Sequence, residues 1–515
     1  MRVQRALVSV SDKRGLEELG RALANLKIEI LSTGGTAKAL AGLGIPVKQV
    51  AEHTGAPEIL GGRVKTLHPR IHGGILGRRD LESDQKDMAA QNIAPIDLVI
   101  VNLYPFREAV ARGAPLAEVT EEIDIGGPSM IRSAAKNVAH VAVVVDPDDY
   151  PRVVSALKEK GELSQELRNE LQAKAFAHTA AYDASISSYF LGQLGVPFPQ
   201  QLSRPFEKAQ DLRYGENPHQ RAALYKDPLP PPEPSVPFAS VLQGKELSYN
   251  NLLDLDSALG CVKEFDETCA VVIKHNTPCG VAIAASIEDA YRRARASDEV
   301  SAFGGIVAVN RPVDGAMAKA LAETFLECVI APSYSAEARD LLAAKKNLRL
   351  LESPTLAGPR SSWKRGGMEL RGITGGMLVQ DRDVGEAGEL KTAGKLTPTA
   401  DQLTDLRFAW KVCKHVRSNA IVFAKGGQTV GIGGGQTSRV EAVKLAARKA
   451  VLPLAGTAVA SDAFFPFRDG LDACADAGAT SCVQPGGSVR DAEVFAAADE
   501  RGVAMVLTGM RHFRH

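Results

Sequence analysis

The chain has 515 residues, of which 45% are hydrophobic and 24% charged, with 47 glycines and 28 prolines. That is too much apolar mass for a disordered chain and too much length for one core, and it predicts two to four domains. Lys plus Arg (61) balances Asp plus Glu (61), which disfavours a nucleic-acid partner, and no run of about 18 uncharged apolar residues predicts a membrane span.

The first residues, MRVQRALVSVSDKRG, carry charges too early for a signal peptide. ALVSV (6–10) reads as a strand ending in Ser11-Asp12-Lys13. GLEELGRALANL follows, with Leu16, Leu19, Leu23 and Leu26 at helical spacing. IEIL (28–31) is a second strand, Ser32-Thr33-Gly34-Gly35-Thr36 a loop, and AKALAGLG a helix. IDLVIVNLY (96–104) and HVAVVV (140–145) are further apolar runs. Strands alternating with helices predict a parallel α/β sheet covered on both faces. Residues 161–192 read as helical, and GVPFPQQLSRPF (195–206) as a linker, since prolines interrupt regular structure.

In the second half, Asp227–Pro237 (DPLPPPEPSVP) predicts an extended surface loop. The alternation resumes with AVVIKHNTPCG (270–280), FGGIVAVN (303–310), NAIVFAKGG (419–427), TVGIGGG (429–435) and AVASDAFFPF (458–467). Lys274-His275-Asn276 leading to Ser301–Gly304 loosely echoes Val416–Asn419 leading to Ser461–Phe464, which hints at a duplicated unit. All seven cysteines lie at or after Cys261 and none forms C-x-x-C. That composition predicts reduced thiols, a cytoplasmic setting and no structural zinc.

Several loops suit a phosphorylated small molecule. Glycines and hydroxyls in Ser32–Thr36, at the start of a helix, offer donors to an anion, although an ordinary turn capped by Thr36 would look the same. Ser11-Asp12-Lys13 would share the same sheet edge, where ligands of such folds bind. Gly61–Pro69 (GGRVKTLHP) gathers two cations and a histidine in a glycine-rich loop, longer than a plain solvated turn needs. Asp124 either caps a helix or serves a site. Lys136, twelve residues on, reaches the same end of the fold only if the chain bends back. Gly431–Arg439 (GIGGGQTSR) fails the dinucleotide pattern at Gln436 and the P-loop pattern for want of Gly-Lys-Ser/Thr, but an anion site at the following helix survives. Lys274-His275 at a strand end is an acid/base candidate, because both groups titrate near neutrality when buried. Cys279 follows Pro278 without the second Cys or the H-x-E of a zinc deaminase.

Taken together, Ser11-Asp12-Lys13, STGGT, GGRVKTLHP, NLYPF (102–106), IDIGGPSMIRSAAKN (123–137), LRYGENPHQ (212–220), IKHNTPCG, SAFGG, SNAIVFAKGG, GIGGGQTSR, SDAFFPFRD and the terminal Arg511-His512-Phe513-Arg514-His515 resemble one family in order and end to end. That family is the bifunctional AICAR transformylase/IMP cyclohydrolase of purine biosynthesis. The resemblance implies a methylglyoxal-synthase-like α/β domain at 1–199 and a transformylase at 200–515 built of two cytidine-deaminase-like α/β units. It implies formyl transfer from 10-formyltetrahydrofolate to AICAR, then cyclodehydration of the product, FAICAR, to IMP, with no metal required and a structural potassium in some members. It also implies a homodimer whose transformylase sites are completed across the interface.

Residue by residue, the resemblance makes His275 the base of formyl transfer and Lys274 its partner. Asn419 would orient the formyl group and Asp462 bind the pterin edge. Arg213, Tyr214, Asn251, Gly304, Arg439, Phe467 and Arg511 would contact AICAR, and Glu327 stands where some members have Asp. In the first domain, Lys136 would be the proton donor/acceptor, supported by Lys65, Tyr104 and Asp124. Ser11, Asp12, Lys13, Ser32–Thr36, Arg63, Thr66, Asn102 and Gly126 would contact substrate there. A rival reading makes residues 1–200 a regulatory module that binds a phosphorylated effector; the joint presence of Lys65, Tyr104, Asp124 and Lys136 speaks against it.

Overall fold

Apolar runs without alternation bury both faces of a strand, and four of them pair in parallel in the first part of the chain. The computed structural model describes residues 1–515, which divide into two units, Met1–Phe206 and Glu207–His515. The first unit contains β1 (Arg5–Ser9), β2 (Glu29–Ser32), β3 (Lys48–Gln49), β4 (Leu98–Val101) and β5 (Ala142–Val144) in the order β3-β2-β1-β4-β5. Alternate residues of each strand enter two separate cores. Leu7, Leu31, Val99 and Val143 face one, and Ala6, Ile30, Leu98 and Ala142 the other. The order reverses direction at β1, so a crevice opens there between the ends of β1 and β4. The division between units falls after Phe206, at the end of the proline-containing linker, rather than at Pro199.

The second unit opens with a ribbon of β6 (Glu207–Leu212) and β7 (Ala222–Lys226). Its main sheet takes β8 (Ser240–Gln243), β9 (Cys269–Lys274), β10 (Thr277–Ile283), β11 (Gly305–Val309), β12 (Leu326–Ala331) and β13 (Arg349–Glu352). After a second ribbon, β14 (Met368–Ile373) and β15 (Gly376–Asp381), the sheet adds β16 (Lys391–Ala393), β17 (Ile421–Lys425), β18 (Gln428–Gly433), β19 (Thr457–Ser461), β20 (Ala479–Gln484) and β21 (Ala504–Leu507). The twelve strands run β16-β21-β20-β19-β17-β18-β10-β9-β11-β12-β13-β8. Read from either end, the order is the same six-strand pattern, so the unit is an internal duplication joined at β18 and β10. The equal-length helices Tyr249–Val262 and Ala400–Cys413 pack together on one face. The remaining helices cover the other face as two separate cores.

The duplication aligns residues differently from the echo in the sequence. The β9–β10 hairpin turns at His275-Asn276, and its counterpart, β17–β18, turns at Gly426-Gly427. Gly304 (φ +73°) corresponds to Gly456 (φ +74°), each donating its N–H to a carbonyl across the sheet edge. Val416–Asn419 therefore has no hairpin counterpart in Lys274–Asn276. Two loop expectations also change. Gly34–Thr36 form the first turn of the Gly34–Gly42 helix rather than a loop. The proline-rich Asp227–Pro237 is not wholly at the surface: Glu233 and Val236 are buried, and the Glu233 carboxylate accepts from Lys263 Nζ at 2.6 Å and from Arg382 at 2.7 Å. The chain's low charge density there hid one buried acid that needed partners.

Candidate active sites

In the first unit, the crevice beside β1 is stitched by Asn102. Its Oδ1 accepts from the N–H groups of Ser11 (2.5 Å) and Asp12 (3.0 Å), and its Nδ2 donates to the Asp12 carbonyl (2.9 Å). Asn102 thereby shapes the Ser11–Lys13 loop, whose Asp12 carboxylate accepts from Arg14. Ser32 Oγ donates to the Val8 carbonyl and Thr36 Oγ1 to the Val10 carbonyl. A hydroxyl has one proton to give, so these two side chains tie the loops to β1 instead of donating to an anion, contrary to the expectation from sequence. What remains for an anion is the backbone N–H set of the first helical turn, at its positive end, together with Thr33, whose side chain does not cap the helix.

Lys65 brings its ammonium to this turn: Nζ lies 3.6 Å from where a Cβ on Gly34 would stand. Gly126 and Gly127 are required by close approach. A Cβ at 126 would meet Thr66 Oγ1 at 2.7 Å, and one at 127 would meet Asp124 Oδ2 at 2.5 Å. Asp124 accepts from the Gly127 N–H at 2.8 Å, and its own N–H donates to the Tyr182 hydroxyl at 2.9 Å. Burial raises the Asp124 carboxyl above its ordinary range, outweighing the lowering by Gly127, Lys65 and the backbone of Tyr104. Lys65, Thr66, Tyr104, Asp124 and Gly126 thus share one place, with the Tyr104 side chain exposed. Arg63 is exposed and pairs with Glu121. Lys136 is not among them. It ends the Gly126–Lys136 helix, exposed, ten residues from Gly126 and so about 15 Å along the axis, with no bend to bring it back.

The second unit collects its candidates along one edge of the twelve-stranded sheet. The ends of β9, β18 and β19 and the starts of β10, β11, β12 and β17 all lie there. His275 and Asn276 form the β9–β10 turn with φ of +55° and +58°, the pattern that hairpins usually fill with glycine or asparagine. His275 is exposed and Lys274 half-buried, so the pair is not enclosed as the sequence reading supposed. Lys274 Nζ donates to the Phe303 carbonyl at 2.7 Å, beneath Gly304. Glu327, near the start of β12, accepts from Arg349 at 2.6 Å.

At the start of β17 a buried cluster forms around Arg439. Its guanidinium donates to Ser461 Oγ (2.8 Å), to Asn419 Oδ1 (2.6 Å) and to Asp462 Oδ1. Asp462 has no exposed surface, and its Oδ2 accepts from Ser418 Oγ at 2.6 Å. Asn419 Nδ2 donates to the Gln436 carbonyl at 2.9 Å. Arg439 therefore holds Asn419, and Asp462, fully buried, holds Arg439 and Ser418 rather than standing open to a ligand. Asn251 is likewise occupied: its Oδ1 accepts from the Ser248 N–H in a capping box, a placement that sequence alone did not separate from ligand contact. Phe467 and Arg511 are exposed, under Arg490 and over Phe513 respectively, and Arg213 lies over the Tyr214 ring. The C-terminal segment returns to this edge, the His512 N–H donating to the Asp462 carbonyl.

Sequence reasoning missed Asp254. Its carboxylate accepts from the N–H groups of His275 (3.2 Å) and Asn276 (2.6 Å) and fixes the turn. Asp405 holds Gly426 and Gly427 in the same way, each at 2.9 Å. The signal was present as Asp-Leu recurring at one position of two equal helices, but it shows only once the hairpins are aligned. All seven cysteines are buried and free. No helix is long and apolar enough to cross a membrane.

A sequence model of the MGS-like domain matches residues 15–129, and one described as AICARFT/IMPCHase bienzyme matches 134–449. The bifunctional purine biosynthesis protein PurH of Myxococcus xanthus is 63% identical over 513 residues, covering 99% of this chain and 100% of that protein. The PurH proteins of Rhodospirillum rubrum and Persephonella marina are 55% and 52% identical over 526 and 518 residues, covering 99–100% of both chains. On this full-length similarity, the chain belongs to the AICARFT/IMPCHase bienzyme family.

Proposed function

We propose that this bifunctional enzyme of purine biosynthesis carries out formyl transfer at the β9–β10 and β17 edge of its second unit and ring closure at the β1–β4 crevice of its first. The observation that carries the reading is the His275-Asn276 turn. Its duplicated counterpart uses two glycines, which enter the left-handed region without penalty; a histidine there costs about 1–2 kcal/mol. A residue kept against backbone preference, exposed and beside a lysine, is positioned for chemistry.

In the transfer step, the 5-amino nitrogen of AICAR attacks the formyl carbon of 10-formyltetrahydrofolate. The new N–C bond forms as the bond from the folate N10 breaks, the amine proton passes to His275, and N10 leaves with a proton. Lys274, anchored by one N–H to Phe303, has two further donors for the developing oxyanion or the leaving nitrogen. Asn419, clamped by Arg439 and Gln436, orients the formyl oxygen. Strand spacing separates β9 from β17 by about 14 Å, so His275 and Asn419 of one chain do not close on the same atom unaided; a homodimer that completes the site accounts for this.

In ring closure, the carboxamide nitrogen of FAICAR attacks its formyl carbon and the oxygen departs as water. Proximity supplies much of the rate. Lys65 and the first-turn N–H groups hold anionic oxygen, and Asp124, raised by burial, passes protons at the reacting centre. Lys136 enters this reading through the resemblance alone. The test is the two-substrate reaction. The intact chain should form IMP from AICAR and 10-formyltetrahydrofolate. His275→Ala should form FAICAR, and hence IMP, about 10²–10⁴-fold more slowly, and Asp124→Asn should accumulate FAICAR. IMP formation by both variants at the wild-type rate would refute the assignment.

A further inference from the structure

The duplication provides an internal control that separates scaffold from function. The Asp254 clamp is scaffold, because Asp405 repeats it on a glycine turn. Three residues further along the same helices, the halves diverge: the first has Ser257, buried, and the second Phe408. Ser257 Oγ donates to Asn276 Oδ1 at 3.0 Å, and Arg514 Nη2 donates to Ser257 Oγ at 3.3 Å. The same Arg514 accepts the Ser418 N–H at its carbonyl, 2.9 Å away. One residue of the C-terminal tail therefore touches the neighbour of His275 through Ser257 and the neighbour of Asn419 directly.

We propose that Arg514 and Ser257 form a positioning brace that couples the His275 turn to the Asn419 loop of the same chain, so that the two groups one chain contributes to formyl transfer are set by one tail. This rests on the reading of His275 and Asn419 given above. The donors and acceptors are consistent along its length. Arg514 Nη1 donates to His415 Nδ1 at 3.2 Å, and His415 Nε2 faces Glu264 at 3.3 Å. That arrangement needs a neutral imidazole, and burial, aided by Arg514 and Lys414, pushes the His415 pKa down to about 4. Ser257 accepts one bond and donates one, as a hydroxyl can. The glycine turn of the second half has no such relay, and it carries no side chain to aim.

The experiment uses the full-length chain with AICAR and 10-formyltetrahydrofolate, reading tetrahydrofolate release, and FAICAR supplied separately for ring closure. Ser257→Ala and Arg514→Met should each lower kcat for formyl transfer about tenfold, the order expected for one positioning hydrogen bond. KM for AICAR should stay within about twofold, and ring closure should not change. Because both act through one chain of bonds, the double variant should lose no more than about the larger single loss; independent structural roles would multiply to about a hundredfold. Multiplying losses, or near wild-type kcat in Ser257→Ala with an unchanged unfolding midpoint, would overturn the brace. Ser257→Ala carries that decision if Arg514→Met fails to fold. His275→Ala in the same assay separates the two levels. If it alone loses transfer, the brace falls and the base stands; if it retains transfer, both fall.

Discussion

Replacing His275 by glycine and by alanine separates function from stability at one position. The ring makes no hydrogen bond within the chain and is exposed, so removing it leaves neither a cavity nor an unpaired partner. The backbone sits at φ +55°. Alanine keeps the left-handed penalty of about 1–2 kcal/mol, whereas glycine removes it and returns about 0.5–1 kcal/mol through its greater freedom when unfolded. His275→Gly should therefore be about 0.5–1 kcal/mol more stable than His275→Ala, and no less stable than the wild type. Both should lose formyl transfer by about 10²–10⁴-fold, or about 2.7–5.4 kcal/mol of barrier. Urea midpoints of the full chain and tetrahydrofolate release measure the two quantities. A glycine variant that keeps transfer within tenfold of the wild type, or unfolds before the alanine variant, would refute the argument that the turn is strained for chemistry.

Asp124→Asn should abolish ring closure yet stabilise the first unit at neutral pH, because the carboxyl is raised in the folded state. Its stabilising contribution is complete below the ordinary aspartate range and is lost as pH rises through the folded pKa; the gain from Asn should vanish in urea unfolding at pH 3. Gly433→Ala would set a Cβ 2.0 Å from the Ala442 carbonyl oxygen, and Gly280→Ala one 1.9 Å from that of Ala294. Each should destabilise the second unit by about 3 kcal/mol or more while ring closure by the first persists, which differential scanning calorimetry and the FAICAR assay can check. A fragment ending at Phe206 should fold alone and close the ring, since both first-unit cores lie within it; an insoluble or inactive fragment would place the boundary elsewhere.

Local patterns determined a good deal of this protein. The strands at ALVSV, IEIL and VVIK are legible because burial on both faces leaves unbroken apolar runs; helical crossovers make the first two parallel, whereas VVIK pairs antiparallel with both of its neighbours. Lys65 and Asp124 were legible as polar residues in or beside glycine-rich loops, and His275 as part of a Lys-His pair at the end of an apolar run. What each side chain does there was not, because a hydroxyl, amide or guanidinium has few bonds to give and only its neighbours decide where they go. Ser32 and Thr36 bond β1, Asn102 shapes a loop, Asn251 caps a helix and Arg439 holds Asn419. Lys136 was separated from Asp124 by a straight helix that sequence spacing could not measure. The duplication was visible only as a misaligned echo, since the halves share hairpins, helices and an aspartate clamp rather than side chains. Tertiary pairing of β10 with β18 placed the His-Asn and Gly-Gly turns in equivalent positions, and their difference sets apart the turn for which we propose a catalytic role.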